Sequence, residues 1–132
     1  MLAPDTEAAL AALVAAAEAP FAIEGRGSKR AMLRPVQAAA TLSTRNLTGI
    51  TLHRPTELII SARAGTPVAE VEAALAEKGQ MLIAEPPTYG GIFGAGQPTI
   101  GGAVAAGISG PRRITGGAMR DHGDLCLNPQ LV

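Results

Sequence analysis

The sequence predicts an α+β fold, with short strands gathered into small mixed sheets and helices on their flanks. Three observations predict it. Apolar residues recur at helical spacing near residues 5–18 and 67–78. Short runs of alternating or β-branched residues fall between these two stretches. Glycine-rich segments, not long polar linkers, separate the runs, so the 132 residues suit one domain without internal repeats.

The first helix is expected after Pro4, with Asp5 as its N-cap and Glu7 in its first turn. Leu10, Leu13, Val14 and Ala17 share one face, and Pro20 stops the helix. Phe21-Ala22-Ile23-Glu24 reads as a strand that runs into the turn Gly25-Arg26-Gly27-Ser28-Lys29. Leu42-Ser43-Thr44-Arg45 is a second short strand candidate. Ile50 to His53 alternates apolar and polar, Arg54 to Glu57 reads as a turn, and Leu58 to Ala64 is a further strand. Thr66 can cap a second helix with Pro67 at its first position, where a missing N–H costs nothing. Val68, Val71, Ala74 and Leu75 form its buried face, and Gly79 suits the left-handed residue that ends it. Met81-Leu82-Ile83 is expected as a short strand ended by Pro86-Pro87. Thr99-Ile100-Gly101-Gly102 then looks like a capped helix start built from small residues.

Composition excludes several classes. Eleven basic and eleven acidic residues cancel, so there is no broad cationic surface for a nucleic-acid backbone. Phe21, Phe93 and Tyr89 are too few aromatics for a base-stacking platform. One cysteine, Cys126, cannot form an internal disulfide and fits a reducing, cytoplasmic setting. No basic-then-apolar leader and no apolar run of membrane-spanning length is visible. His53 and His122 stand far apart without a nearby carboxylate pattern, a poor basis for a metal site, and each reads as a structural residue.

Two segments carry chemistry. Successive backbone N–H groups in Gly25-Arg26-Gly27-Ser28-Lys29 can cradle an anion, with Arg26 and Lys29 adding charge and Ser28 a hydroxyl; the same residues also make an ordinary polar turn. The segment is neither a P-loop, which needs Gly-Lys-Ser/Thr, nor a dinucleotide fingerprint, because Arg30 occupies the third glycine position. Gly94-Ala95-Gly96 fails the same fingerprint at Thr99. At Pro98-Thr99-Ile100-Gly101-Gly102, a helix N-terminus without shielding side chains either receives phosphate or packs closely on a sheet.

The ordered series is more specific than either segment. Ala62-Arg63-Ala64-Gly65-Thr66-Pro67, Gly79-Gln80-Met81-Leu82, Glu85-Pro86-Pro87, Ser109-Gly110-Pro111-Arg112-Arg113 and Arg120-Asp121-His122 follow the strand and Gly-rich turn in order. This series resembles the PCMH-type FAD-binding domain of the vanillyl-alcohol-oxidase superfamily, and within it the FAD-binding subunit of bacterial glycolate oxidase. The resemblance spans roughly residues 7–122. It implies FAD as cofactor, with Gly25, Arg26, Gly27, Ser28 and Lys29 at its pyrophosphate. It further implies Pro86, Thr99, Ile100, Gly101 and Gly102 along the flavin and its phosphates, Ser109 and Gly110 from the next loop, and Asp121 near the adenosine part. Partners implied are the flavin and iron–sulfur subunits of such an oxidase, with cytoplasmic placement or peripheral attachment to the inner membrane through them.

After His122 the chain departs from the family pattern, and 123–132 reads as a non-matching tail in which Asn128-Pro129 is a turn. The expectation is therefore a partial FAD-binding domain over 1–122 that exposes apolar surface and self-associates. No residue pattern supplies a group to take the proton of a 2-hydroxy acid, so no catalytic residue is named and the chain by itself is expected to be inactive. The competing readings are a non-enzymatic fragment with weak or no FAD binding, at most a docking module, and a nucleotide-binding module unrelated to flavin. The failed fingerprints weigh against the last.

Overall fold

The computed structural model describes residues 1–32, 34–89, 92 and 96–122. The tail 123–132, with Cys126 and Asn128-Pro129, and Gly94-Ala95 of the second glycine motif lie outside these residues.

Helix α1 (Glu7–Ala15) is followed by strand β1 (Phe21–Glu24), a 3-10 turn at Arg30–Met32, and β2 (Ala40–Ser43). Strand β3 (Ile50–Arg54), a 3-10 turn at Pro55–Glu57 and β4 (Ile59–Ala62) come next. Helices α2 (Val68–Ala76), α3 (Ile100–Ala106), α4 (Arg113–Gly116) and α5 (Met119–His122) complete the order. The mixed sheet resolves into two two-stranded sheets: β1 pairs with β2 in parallel, and β3 with β4 antiparallel. Leu2 extends the first sheet through a bridge to Leu42 on the far side of β2.

Most elements fall where the residue pattern puts them, and the differences have local causes. Thr6, not Asp5, caps α1: its side chain accepts from the Ala9 amide at 3.1 Å. Asp5 instead accepts from Asn46 Nδ2 at 2.9 Å, a tertiary partner that a local reading cannot see. The shared face of α1 is not buried; no α1 residue is, and Val14 is 54% exposed. The second strand lies at Ala40–Ser43, ahead of its expected start, because its register against β1 is set by Phe21↔Ala40 and Glu24↔Ser43. Leu58 cannot join β4, since its backbone is left-handed with φ 58°.

Pro67 occupies the cap position of α2, and Thr66 makes no cap bond. The Thr66 hydroxyl turns to the chain at Gly49, accepting from its amide at 3.0 Å and donating to its carbonyl at 3.3 Å. Gly79 ends α2 as expected, with φ +67°, and the Gln80 amide returns to Leu75 O while the Gly79 amide returns to Ala76 O. Met81 to Ile83 is not a strand. No strand lies beside it among the described residues, and the Glu85 amide closes a turn onto Leu82 O. Helices α4 and α5 were not legible, because four residues each is too short for a period to show.

The packing centre joins Val68 of α2, Ala84, Ala103 of α3 and Met119 of α5, with Leu82 and Val104 against it. Val71 and Leu75 of α2 are also buried, as the helical spacing predicts. The stretch Ala64–Thr66 connects this centre to the sheets. Gly65 N donates to Leu47 O, while Ala64 O and Thr66 O accept from Gly101 and Ile100. A β-carbon on Gly65 would overlap Thr44 O, so only glycine lets the two backbones meet here.

Leu42 is 1% exposed on β2, between β1 and the Leu2 bridge, whereas Val14 is 54% exposed. Leu42→Ala should cost about 2–5 kcal/mol in urea unfolding, and Val14→Ala no more than about 0.5 kcal/mol. Equal effects would show that Leu42 is not the core residue of this sheet.

Candidate functional site

Parallel pairing sends the C-terminal ends of β1 and β2 to the same edge. The turn 25–29 leaves one strand and Thr44-Arg45-Asn46 leaves the other, side by side. Thr44 N donates to Glu24 O at 2.9 Å, and the fully buried Ser43 hydroxyl donates to Gly25 O at 2.6 Å. The turn itself is closed by Arg30 N to Gly27 O at 3.1 Å. Gly27 has φ +74°, a conformation that glycine adopts without cost and β-branched residues resist. Among the described residues, the amides of Arg26, Gly27, Ser28 and Lys29 have no protein acceptor. Ser28 is buried at 7% exposure.

The helix start at Thr99 lies against this turn. A β-carbon on Gly25 would overlap Thr99 Oγ1, and Gly96 approaches Arg26 O. Thr99 caps α3 as expected, accepting from Gly102 N at 3.2 Å, and is 2% exposed. The structure thus brings together two glycine segments that lie some seventy positions apart in sequence.

It also divides their labour. The Ile100 amide donates to Thr66 O at 2.8 Å, the Gly101 amide to Ala64 O at 2.9 Å, and the Gly102 amide to the cap. The first donors of α3 are therefore satisfied within the protein, and Gly101 serves close packing, since its β-carbon would meet Ala64 Cβ at 2.7 Å. Of the two segments, the described backbone donors that remain open belong to the turn 25–29.

Two charged groups frame the turn. Lys29 Nζ stands 5.9 Å from the centre of the Tyr89 ring, which ties the turn to the Pro86–Tyr89 segment. Burial pushes the Lys29 ammonium below its ordinary pKa. On the other side, Arg26, Arg45 and Asn46 line a cleft of about 230 Å³. Glu24 pairs with Arg30 at 2.5 Å and with Arg45 at 3.3 Å. A larger cavity of about 670 Å³ beside α1, from Leu2 to Leu13, carries no chemistry beyond Asp5 and Thr6.

The remaining predicted residues form a second group. Pro86 is buried, and Glu85 before it has φ +45°, a strained conformation for a non-glycine residue. Arg112 holds Glu85 through its backbone amide and its guanidinium, both at 3.3 Å from Oε1. Gly110 N donates to Ala84 O at 2.9 Å, and a β-carbon on Gly110 would meet Glu85 Cβ at 2.7 Å. Ser109 Oγ accepts from Met119 N at 2.9 Å. Gly110 thus packs against Ala84 and Glu85, just ahead of Pro86 in the chain, and Ser109 against the start of α5. Asp121 makes local contacts: its carboxylate accepts from Ala118 N at 2.7 Å, and Arg120 lies 3.9 Å away. His122 Nε2 contacts Gly116 O, closing the same turn. His53 is half-buried on β3, and its Nε2 is a buried atom without a partner. Among the described residues, no cluster of His, Cys, Asp or Glu could hold a metal.

Residue-by-residue reading missed Ser43, Thr44, Arg45, Asn46 and Tyr89. The first four carry a usable signal, because two short strands joined by a long connection can pair in parallel and bring their C-terminal ends together. Nothing local, however, decides parallel from antiparallel.

A turn of amides without protein acceptors among the described residues, a buried hydroxyl and flanking cations suit the phosphates of a dinucleotide. The site and fold define a flavin-nucleotide-binding domain. Residues 1–124 match the model of the FAD binding domain family, and the chain belongs to that family, with FAD as its cofactor. It is similar to glycolate oxidase subunit GlcE of Escherichia coli (strain K12), 48% identical over 102 residues. That match covers 77% of this chain and 27% of the relative, so the chain spans about a quarter of the relative's length. No solved structure matches.

The contact between Gly25 and Thr99 is open to a direct test. Gly25→Ala should destabilise by about 1–3 kcal/mol through overpacking, and Thr99→Ala by about 1 kcal/mol through loss of the cap. Because the first clash is with the second residue, the double variant should be less damaged than the sum, with a coupling of about 0.5–3 kcal/mol. Strict additivity in urea unfolding would separate the two segments.

Proposed function

We propose that this chain is the FAD-binding portion of a glycolate oxidase subunit, with residues 1–122 as that portion and 123–132 as a tail outside it. The observation that carries the reading is the turn 25–29, in which the amides of residues 26 to 29 have no protein acceptor among the described residues and Arg26 and Lys29 add charge. Gly25, Arg26, Gly27, Ser28 and Lys29 hold the FAD pyrophosphate. Thr99 and Gly102 shape the wall behind it, while Ile100 and Gly101 support that wall through their bonds to Thr66 and Ala64. Pro86, with Ser109 and Gly110 from the next loop, borders the flavin side, and Asp121 stands toward the adenosine end.

When bound, FAD supplies a two-electron acceptor for oxidation of a 2-hydroxy acid. The residues of this chain bind and orient that cofactor. Neither His53, on β3, nor His122, bonded to Gly116, stands at the turn. In this reading the group that takes the substrate hydroxyl proton, and the partner flavin and iron–sulfur subunits, belong to the rest of the assembly. No helix among the described residues is long and apolar enough to cross a membrane, and attachment to one runs through those partners.

Flavin fluorescence titration tests the turn. Gly27→Val forces a β-branched residue into φ +74° and should weaken FAD binding by about tenfold or more. Wild-type affinity in this variant would remove the turn from the site.

Lys29 adds a pH dependence. Burial favours its neutral form in the free protein, whereas a phosphate beside it favours the cation. As pH rises through the depressed Lys29 pKa, anion binding must take up a proton, so affinity falls below the ordinary lysine range. Lys29→Met should weaken binding at neutral pH and flatten this fall. An unchanged pH profile would show that Lys29 does not face the ligand.

A further inference from the structure

We propose that Arg45 is a second phosphate-gripping residue and that its cleft takes the neighbouring phosphate of a diphosphate-linked ligand. The inference rests on the reading of the turn 25–29 as the first phosphate site.

Arg45 is held as part of the turn although it lies outside it in sequence. Its Nε donates to Ser43 Oγ at 3.0 Å, and its backbone amide donates to the same oxygen at 3.3 Å. Ser43 is 0% exposed and passes its own proton to Gly25 O at 2.6 Å. A buried hydroxyl thus links the guanidinium to the first residue of the turn. Glu24 Oε1 holds Nη2 at 3.3 Å and fixes the plane of the fork.

These contacts use two of the five N–H donors of the guanidinium, and among the described residues the other three have no acceptor. The side chain lines the cleft of about 230 Å³ with Arg26, for which no carboxylate partner stands among the described residues. Asn46, the third lining residue, gives both amide hydrogens away, to Ala3 O and Asp5 Oδ1, each at 2.9 Å. The side-chain donors left in the cleft are therefore guanidinium donors. Their planar fork suits two oxygens of one phosphate, and a cleft of this size has room for one.

Charge sharing supports the assignment. The two oxygens of Glu24 are divided between Arg30 and Arg45, so one carboxylate faces two arginines and the cluster keeps a net positive charge. Arg26 adds another at the mouth. Turn amides on one side and the Arg26–Arg45 pair on the other place two anion subsites next to each other. Ligands with two linked phosphates occupy both, whereas a single phosphate occupies one.

The experiment is calorimetric titration of the purified chain with inorganic pyrophosphate and with inorganic phosphate. The expected preference for pyrophosphate is about tenfold or more, the scale of one added charge-assisted contact. Arg45→Met keeps the aliphatic stem and should reduce that preference to within about threefold, weakening pyrophosphate more than phosphate. Arg45→Lys, which keeps the charge without the fork, should fall between the two, and it serves alone if the methionine variant does not fold. Gly27→Val should weaken both ligands. A wild-type chain without pyrophosphate preference overturns the proposal, as does an Arg45→Met or Arg45→Lys protein with the preference intact. Failure of both anions to bind the wild type would instead sink the reading of the turn itself.

Discussion

Parallel pairing of Phe21–Glu24 with Ala40–Ser43 is the constraint on which the site depends. An antiparallel pair would place the turn 25–29 and the segment 44–46 at opposite ends of the sheet. The parallel register puts Ser43 opposite Glu24, and its buried hydroxyl under the Gly25 carbonyl. A buried hydroxyl without a partner is costly, so Ser43 both needs this bond and enforces it. The Leu2 bridge to Leu42 closes the other side of β2 and leaves the loop ends of the pair as the open edge.

Close approach is the second requirement, and glycine meets it at two kinds of position. At Gly25 and Gly65 the missing β-carbon lets backbone lie against Thr99 and against Thr44. At Gly27 the left-handed backbone reverses the chain so that successive amides remain free. The helix start at Thr99 looks from sequence like the stronger anion site, because a dipole and small residues coincide there. Its donors, however, complete the junction with Ala64 and Thr66. The helix contributes a wall, and among the described residues the amides of the turn are left without protein acceptors.

Much of the architecture was legible residue by residue. Phe21–Glu24 matched its strand, Val68, Val71 and Leu75 matched the buried face of α2, and Thr99 and Gly79 matched their cap roles. These features depend on neighbours within a few positions. Misreadings arose where a tertiary partner took a side chain from its local role. Asn46 draws Asp5 away from the helix, Gly49 takes the Thr66 hydroxyl, and Met81–Ile83 finds no neighbouring strand among the described residues.

The sequence by itself determined the α+β class, the two longer helices, and the residue set of the turn, since glycine spacing and flanking cations act over five residues. Only the tertiary structure decided which distant segments join that turn. Strand direction brought Arg45 and Asn46 to the turn, and the Gly25–Thr99 contact brought the α3 cap behind it. The physical reason is range: propensity and capping energies act between near neighbours, whereas register and close packing are set by the whole set of elements that must be buried together.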